Sequence, residues 1–197
     1  MDSRKKSRWT KIGLFLLLLL IMALRAWCQV EVVESPAFRS VYDLRMKCPA
    51  QVSWLITRHD LGNAKRMASW KFTTDLSSPL ATARHSDYTN SGYQRGHLCP
   101  AQDRSSNQAF MRSTFKMSNI APQVPALNTG KWKISEMFCR NAVEVYDSIC
   151  VIVLPVFLDR DTTYIGTNQL AVPHAFFKAA WMHRNDSVIG TWFLFNK

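Results

Sequence analysis

A chain of 197 residues, 47% hydrophobic and 20% charged, holds enough apolar material for one substantial core, and its composition excludes an intrinsically disordered or fibrous protein. No repeat period is visible, so a solenoid or propeller is excluded as well. The formal net charge is +11; the first 28 residues hold six basic and one acidic side chain, so residues 29–197 keep +6 and favour polyanionic partners.

At the amino terminus, Arg4, Lys5, Lys6, Arg8 and Lys11 precede a leucine-rich run from Ile12 to Leu24. That run is short for a membrane span and normal for the apolar part of an export signal. Residues 1–28 are therefore expected to be a signal peptide cleaved after Cys28, and the protein to be secreted or periplasmic. The alternative is an uncleaved membrane anchor, because Arg25 to Cys28 is a poor small-residue cleavage site. Residues 29–197 then form one domain.

Residues 29–50 read as a lead-in with short extended pieces, and Val52 to Thr57 as a strand rich in apolar and β-branched residues. A turn is expected around Gly62 and Asn63. Ser77 to Tyr93, rich in Ser, Thr, Asn and Asp, predicts an irregular surface loop. A short strand ending at Pro100 follows, then a helix opened by cap-type residues before Phe110 to Phe115. Asn128 to Val145 predicts a long helix with Trp132, Met137, Ala142 and Val145 on its apolar side. Cys150 to Phe157 reads as a buried strand, and "AFFKAAWMH" and "IGTWFLFN" as two more around a turn at "HRND". Strands interleaved with one long helix predict an α+β fold with a mainly antiparallel sheet.

Once Cys28 leaves, four cysteines remain: Cys48, Cys99, Cys139 and Cys150. An even number in an oxidising compartment predicts two disulfides. Of the three connectivities, Cys48–Cys99 with Cys139–Cys150 is favoured; the alternative is free buried thiols. No CxxC or Cys/His spacing suggests zinc.

The chemistry concentrates in two segments. "SGYQRGHLCPAQDR" sets Arg95, Gly96 and His97 together after the polar loop. Histidine suits proton transfer near neutral pH, arginine grips phosphate oxygens, and glycine lets backbone approach a ligand. "NIAPQVPALNTGKWKISEMFCR" carries Asn128, Glu136 and Arg140 at offsets of eight and four. On a continuous helix those offsets put an amide, a carboxylate and a guanidinium along one face. Alone, the second segment would read as a solvated helix face with an ordinary Glu–Arg pair.

Taken together, "QRGHLCPA", "FKMSNIAPQ" and "LNTGKWKISEMFCR" resemble the consecutive motifs of the DNA/RNA non-specific endonuclease family, which are similar to D-R-G-H-L-x-P-A, F-x-x-S-N-x-x-P-Q and L-N-x-G-x-W-x-x-x-E-x-x-x-R. "VPHAFFKAAW" and "GTWFLFN" resemble its later strands, so the likeness runs from about Trp54 to Asn196. The resemblance implies a ββα-metal, or His-Me finger, nuclease fold with a long metal-site helix. It implies His97 as general base and Asn128 as the direct ligand of a divalent ion, Mg²⁺ with Mn²⁺ or another divalent ion as substitutes. Glu136 would hold metal-bound water, Arg95, Arg140 and Arg66 would grip phosphate, and Asn119 would brace the site. DNA and RNA would be cut with little sequence preference, because phosphate and sugar contacts carry no direct base information. The products would carry 5′-phosphates, and an inhibitor protein is a further candidate partner.

Three positions depart from the family pattern. Gln94 stands where Asp is usual, Ser135 replaces an apolar residue before Glu136, and Leu154 replaces a glycine. The rival reading is a catalytically weakened nucleic-acid-binding module of the same fold, with Gln94 marking decay; a structural envelope protein would give no reason for the residue set. His59, His85, His174 and His183 lie outside the motifs and read as surface or structural, and most of the seven tryptophans as core.

Overall fold

Six extended segments with alternating apolar residues pair into one sheet. The computed structural model describes residues 29–77, 82–158 and 161–197; the signal-peptide expectation for residues 1–28 lies outside them. The strands are β1 (Val30–Glu34), β2 (Arg39–Asp43), β3 (Cys48–Thr57), β4 (Gln94–His97), β5 (Ile120–Gln123), β6 (Ser148–Val156), β7 (Tyr164–Ile165), β8 (Leu170–Ala171), β9 (Ala175–Met182) and β10 (Val188–Phe195). The main sheet runs β1-β2-β3-β6-β9-β10. From β2 to β10 every neighbouring pair is antiparallel. β4 and β5 form a separate antiparallel pair, as do β7 and β8.

Central strand β6 shows why the sheet has a core side. Ile149, Val151 and Val153 point one way and are fully buried, while the residues between them are only partly covered. This is the two-residue period of a sheet with one face on the core. Against that face packs α3 (Lys131–Tyr146), which contacts β3, β6 and β10. Two short helices precede it: α1 (Gln108–Arg112), capped by the Asn107 side chain accepting from the Phe110 N–H at 2.8 Å, and α2 (Pro125–Thr129), with Pro125 at its first turn. The expected α+β architecture with a mainly antiparallel sheet and a long site helix is the one observed.

Three local expectations are corrected. The long helix does not begin at Asn128: the chain breaks at Gly130 (φ −104°, ψ −111°), so Asn128 sits on α2 and α3 starts at Lys131. A Cβ at Gly130 would strike the carbonyl oxygen of Ala126, which only glycine avoids. The buried side of α3 is Trp132, Ser135, Cys139, Ala142 and Val143, whereas Met137 and Val145 face solvent. In the loop from Ser77 to Tyr93, Thr82, Ala83, Asp87 and Tyr88 are buried. Asp87 caps its own 3-10 turn through the Arg84 N–H (2.7 Å) and accepts from the Asn168 side chain (3.0 Å), so this part of the loop packs into the body.

The disulfides are also absent. Cys48, Cys99, Cys139 and Cys150 are free thiols, the first three buried. They lie on β3, just after β4, on α3 and on β6, and two meet another partner: the Cys99 thiol faces the Ala37 carbonyl (3.5 Å) and the Cys150 sulfur faces Nδ1 of His183 (3.4 Å). They pack as small apolar side chains.

Candidate active site

The β4–β5 pair sets the first residues. Gly96 lies opposite Ala121 in the ladder, and a Cβ on it would run into the buried side chain of Gln123. The glycine therefore answers to protein packing and not to the approach of a ligand. Next to it, the His97 carbonyl accepts from the Trp132 indole N–H at 3.1 Å, which ties the strand to α3. Asn119 is fully buried behind this corner. Its side-chain oxygen accepts from the Cys99 N–H (2.8 Å), and its amide nitrogen donates to the carbonyls of Cys99 (2.9 Å) and Thr114 (3.0 Å).

The His97 ring stands against Phe115 (4.8 Å between centroids) and Phe72 (5.2 Å). Its Nε2 is buried without a hydrogen-bond partner among the described residues. Burial, with the Arg66 charge added, pushes the imidazole pKa down to about 3, so it is neutral at physiological pH. The Arg66 guanidinium lies over the Phe115 ring, 4.7 Å from its centroid.

These groups open onto a cleft of about 420 Å³ lined by Arg66, Arg95, His97, Asn128, Glu136 and Arg140, with Gln102, Thr129 and Lys133 around them. The break at Gly130 does not disperse the set, because α2 and α3 both deliver to the same cleft. Asn119 alone among the expected site residues stands behind the wall. A larger cleft of about 560 Å³ beside β3, lined by residues such as Phe38, Trp54 and Trp181, contains none of them.

Each polar wall is held from outside. Arg95 donates through Nε (3.2 Å) and Nη2 (2.6 Å) to the His85 carbonyl. Asn128 donates from Nδ2 to Oε1 of Gln94 at 2.7 Å. Arg140 donates from Nη1 to Oδ1 of Asp103 at 2.9 Å and stands 4.0 Å from Glu136. Burial raises the Glu136 pKa to about 7, against the opposing pull of Lys178 and Arg140.

Two supporting groups escaped the sequence reading. Asp103 is fully buried and binds both Arg140 and the Trp54 indole N–H (3.0 Å). Lys178 is also fully buried, its Nζ 5.0 Å from the Trp132 ring centroid and 3.2 Å from the Ser135 hydroxyl. Ser135 thus gives a buried cation an oxygen and is more than a packing change. "PAQDR" offered a signal for Asp103, an acid flanking an apolar turn, but nothing in it named Arg140 as the partner.

A family model described as DNA/RNA non-specific endonuclease matches residues 20–195. The mitochondrial nuclease EXOG of Danio rerio is 34% identical over 157 residues, covering 74% of this chain and 46% of that protein. The mitochondrial endonuclease G of Homo sapiens is 39% identical over 105 residues, covering 49% of this chain and 35% of that protein. The chain thus spans less than half the length of either relative. A crystal structure titled as the EndoG/EndoGI complex superposes with a TM-score of 0.76 at 26% identity, covering 84% of this chain and 74% of that one. Relatives named as mitochondrial, a third being nuclease 1 of Schizosaccharomyces pombe, overturn the expectation of a secreted or periplasmic protein, and with it the support for an export signal.

Proposed function

The chain belongs to the DNA/RNA non-specific endonuclease family, and we propose that it hydrolyses phosphodiester bonds of DNA and RNA in the cleft between β4 and α3. The observation that carries this reading is the convergence of a neutral histidine, three arginines, an asparagine and a carboxylate on one cleft. Phosphodiesters are anionic, so a nucleophile meets them only where cations offset the charge. Arg66, Arg95 and Arg140 supply that offset, and His97, unprotonated at working pH, takes the proton from the attacking water. The bond from phosphorus to the 3′ oxygen breaks and that oxygen takes a proton from water, leaving a 5′-phosphate and a 3′-hydroxyl. Asn119 keeps the His97 strand in register with the turn behind it.

The residues present fit a divalent metal. With its Nδ2 committed to Gln94, Asn128 keeps Oδ1 for a cation, and the Glu136 carboxylate lies in the same cleft. Among the described residues no cluster of three His, Cys, Asp or Glu side chains exists, so the donor set is oxygen-poor and suits a hard ion that keeps most of its waters, as Mg²⁺ does. Asn128 would bind it directly and Glu136 through water; Mn²⁺ is the nearest substitute. Such an ion neutralises charge that develops on the phosphate oxygens. DNA and RNA share the groups this cleft contacts, which supports low sequence preference. The solved EndoG/EndoGI complex, a case of EndoG inhibition, supports an inhibitor protein as a further partner.

The test is digestion of plasmid DNA and of RNA by residues 29–197, with Mg²⁺, with EDTA, and with His97→Ala. Cutting of both polymers is expected, stopped by EDTA and lowered by orders of magnitude in His97→Ala. Binding without cutting across several metals and pH values would replace this reading with a binding module of the same fold.

A further inference from the structure

A second cleft of about 350 Å³ lies on the other side of Phe115. Three cations line it, Lys71, Arg112 and Lys116, together with the hydroxyl-bearing Thr73 and Ser113, and no carboxylate does. Among the described residues none of the three cations forms an ion pair. Asp75 feels the charge of Lys116 without an ion pair to it, and its carboxylate accepts from the Ser118 hydroxyl at 2.5 Å.

The cleft is rigidly built and joined to the catalytic one. Thr73 pairs with Lys116 in a short bridge, the Thr73 N–H donating to the Phe115 carbonyl (3.1 Å) and the Met117 N–H to the Thr73 carbonyl (2.9 Å). Lys116 Nζ donates to the Thr73 hydroxyl at 3.2 Å, and the Arg112 guanidinium lies 5.6 Å from the Trp70 ring centroid. Phe115 carries Arg66 on its ring and touches His97, so one aromatic side chain separates the two clefts. Helix α1 serves both, placing Met111 in the catalytic cleft and Arg112 in the second.

We propose that Lys71, Arg112 and Lys116 form a second phosphate subsite, which holds the nucleic-acid backbone beside the phosphate being cut. The inference rests on the nuclease reading. Cations without an ion pair and with neighbouring hydroxyls suit phosphate oxygens, so the subsite adds affinity for a polynucleotide through its backbone without adding sequence preference. It makes the enzyme favour long strands over small diesters.

The test compares wild type with K71E/R112E/K116E and with the milder K71Q/R112Q/K116Q, both checked for an unchanged melting temperature. Each is assayed on bis(p-nitrophenyl) phosphate and on a single-stranded 20-mer, and 20-mer binding is followed against KCl in the His97→Ala background. The charge reversal is expected to raise KM for the 20-mer at least about tenfold and to leave small-diester turnover unchanged. The salt dependence of binding should flatten by about 0.7 logarithmic units per decade, the scale for one phosphate contact on a single strand. An unchanged KM and salt slope for folded variants, with wild type cutting both substrates, would overturn the subsite alone. A wild type that cuts neither substrate overturns the nuclease reading, and the binding arm then still decides the subsite.

Discussion

Asn128 donates from Nδ2 to the side-chain oxygen of Gln94 at 2.7 Å, so one of the three residues that depart from the family pattern orients the proposed metal ligand. Gln94 opens β4, Asn128 lies in the last turn of α2, and the bond fixes which atom of the amide faces the cleft. An aspartate at 94 would accept the same hydrogen bond and add a negative charge beside the ion. Gln94→Asp is therefore expected to tighten divalent-ion binding several-fold, read by Mn²⁺ titration with electron paramagnetic resonance. Gln94→Leu frees the amide and is expected to weaken metal binding and cutting by roughly 10–100-fold, the usual scale for a lost outer-shell partner. Equal metal affinity in all three proteins would remove Gln94 from this role.

Asp103 does for Arg140 what Gln94 does for Asn128. Its two oxygens divide between Arg140 and the Trp54 indole, and it has no solvent to fall back on. Asp103→Ala would leave a guanidinium and an indole without their acceptor, a loss on the order of 3–5 kcal/mol. Asp103→Asn keeps the shape but offers one acceptor in place of two, so its NH2 must face either the guanidinium or the indole N–H. Thermal unfolding should show only part of the stability restored in the asparagine variant, while KM for nucleic acid stays raised because Arg140 has lost the charge that aims it. Equal KM for Asp103→Asn and wild type would reduce Asp103 to a packing role.

The order of strands and helices was legible wherever the pattern is local. Ile149, Val151 and Val153 announce a half-buried strand by alternation, and Asn107 announces a helix start by its cap. The cleft was legible only through several motifs taken together, since neither "RGH" nor the Glu136–Arg140 pair is specific alone. What stayed hidden depends on distant partners. A helical period across Asn128 to Val145 cannot reveal that Gly130 meets the Ala126 carbonyl and splits the segment. Met137 and Val145 are apolar yet exposed, because the sheet covers only one stripe of α3 and residue type does not say which. Nothing in "AFFKAAWMH" shows which groups surround Lys178; three tryptophan rings and the Ser135 hydroxyl make it a core residue.

Free thiols in place of disulfides give a redox prediction. Burial pushes the Cys139 thiol up to about 11 and raises those of Cys48 and Cys99 as well, so few thiolates exist at neutral pH and none of the three is presented to reagent. Cys150, less covered, is also raised by desolvation. Dithiothreitol is expected to leave the melting temperature unchanged. With Ellman's reagent on residues 29–197, which exclude Cys28, Cys150 should react first and the other three only on unfolding in guanidinium. A drop of several degrees on reduction would restore the disulfide reading.

Glu136 and His97 carry opposite pH signatures. Glu136 is raised from 4.5 to about 7 by burial, so the metal-free fold favours its protonated form. That stabilisation is full below about pH 4.5 and is lost as pH rises through 7. His97 is lowered from 6.5 to about 3, so its contribution is full above pH 6.5 and is lost as pH falls toward 3. Between 4.5 and 6.5 the two slopes oppose, and metal-free stability should change little there. Activity needs the Glu136 carboxylate, so kcat/KM is expected to rise between about pH 6 and 8, with a limb that belongs to Glu136 and not to His97. Lys178 is the strongest charge holding that carboxyl down. Lys178→Met, which fills the same slot among the tryptophans, should move the limb to higher pH, and saturating Mg²⁺ should move it lower. Glu136→Gln should abolish the limb along with most of the activity. A limb that stays in place in Lys178→Met would show that the titrating group lies outside the reach of the buried lysine.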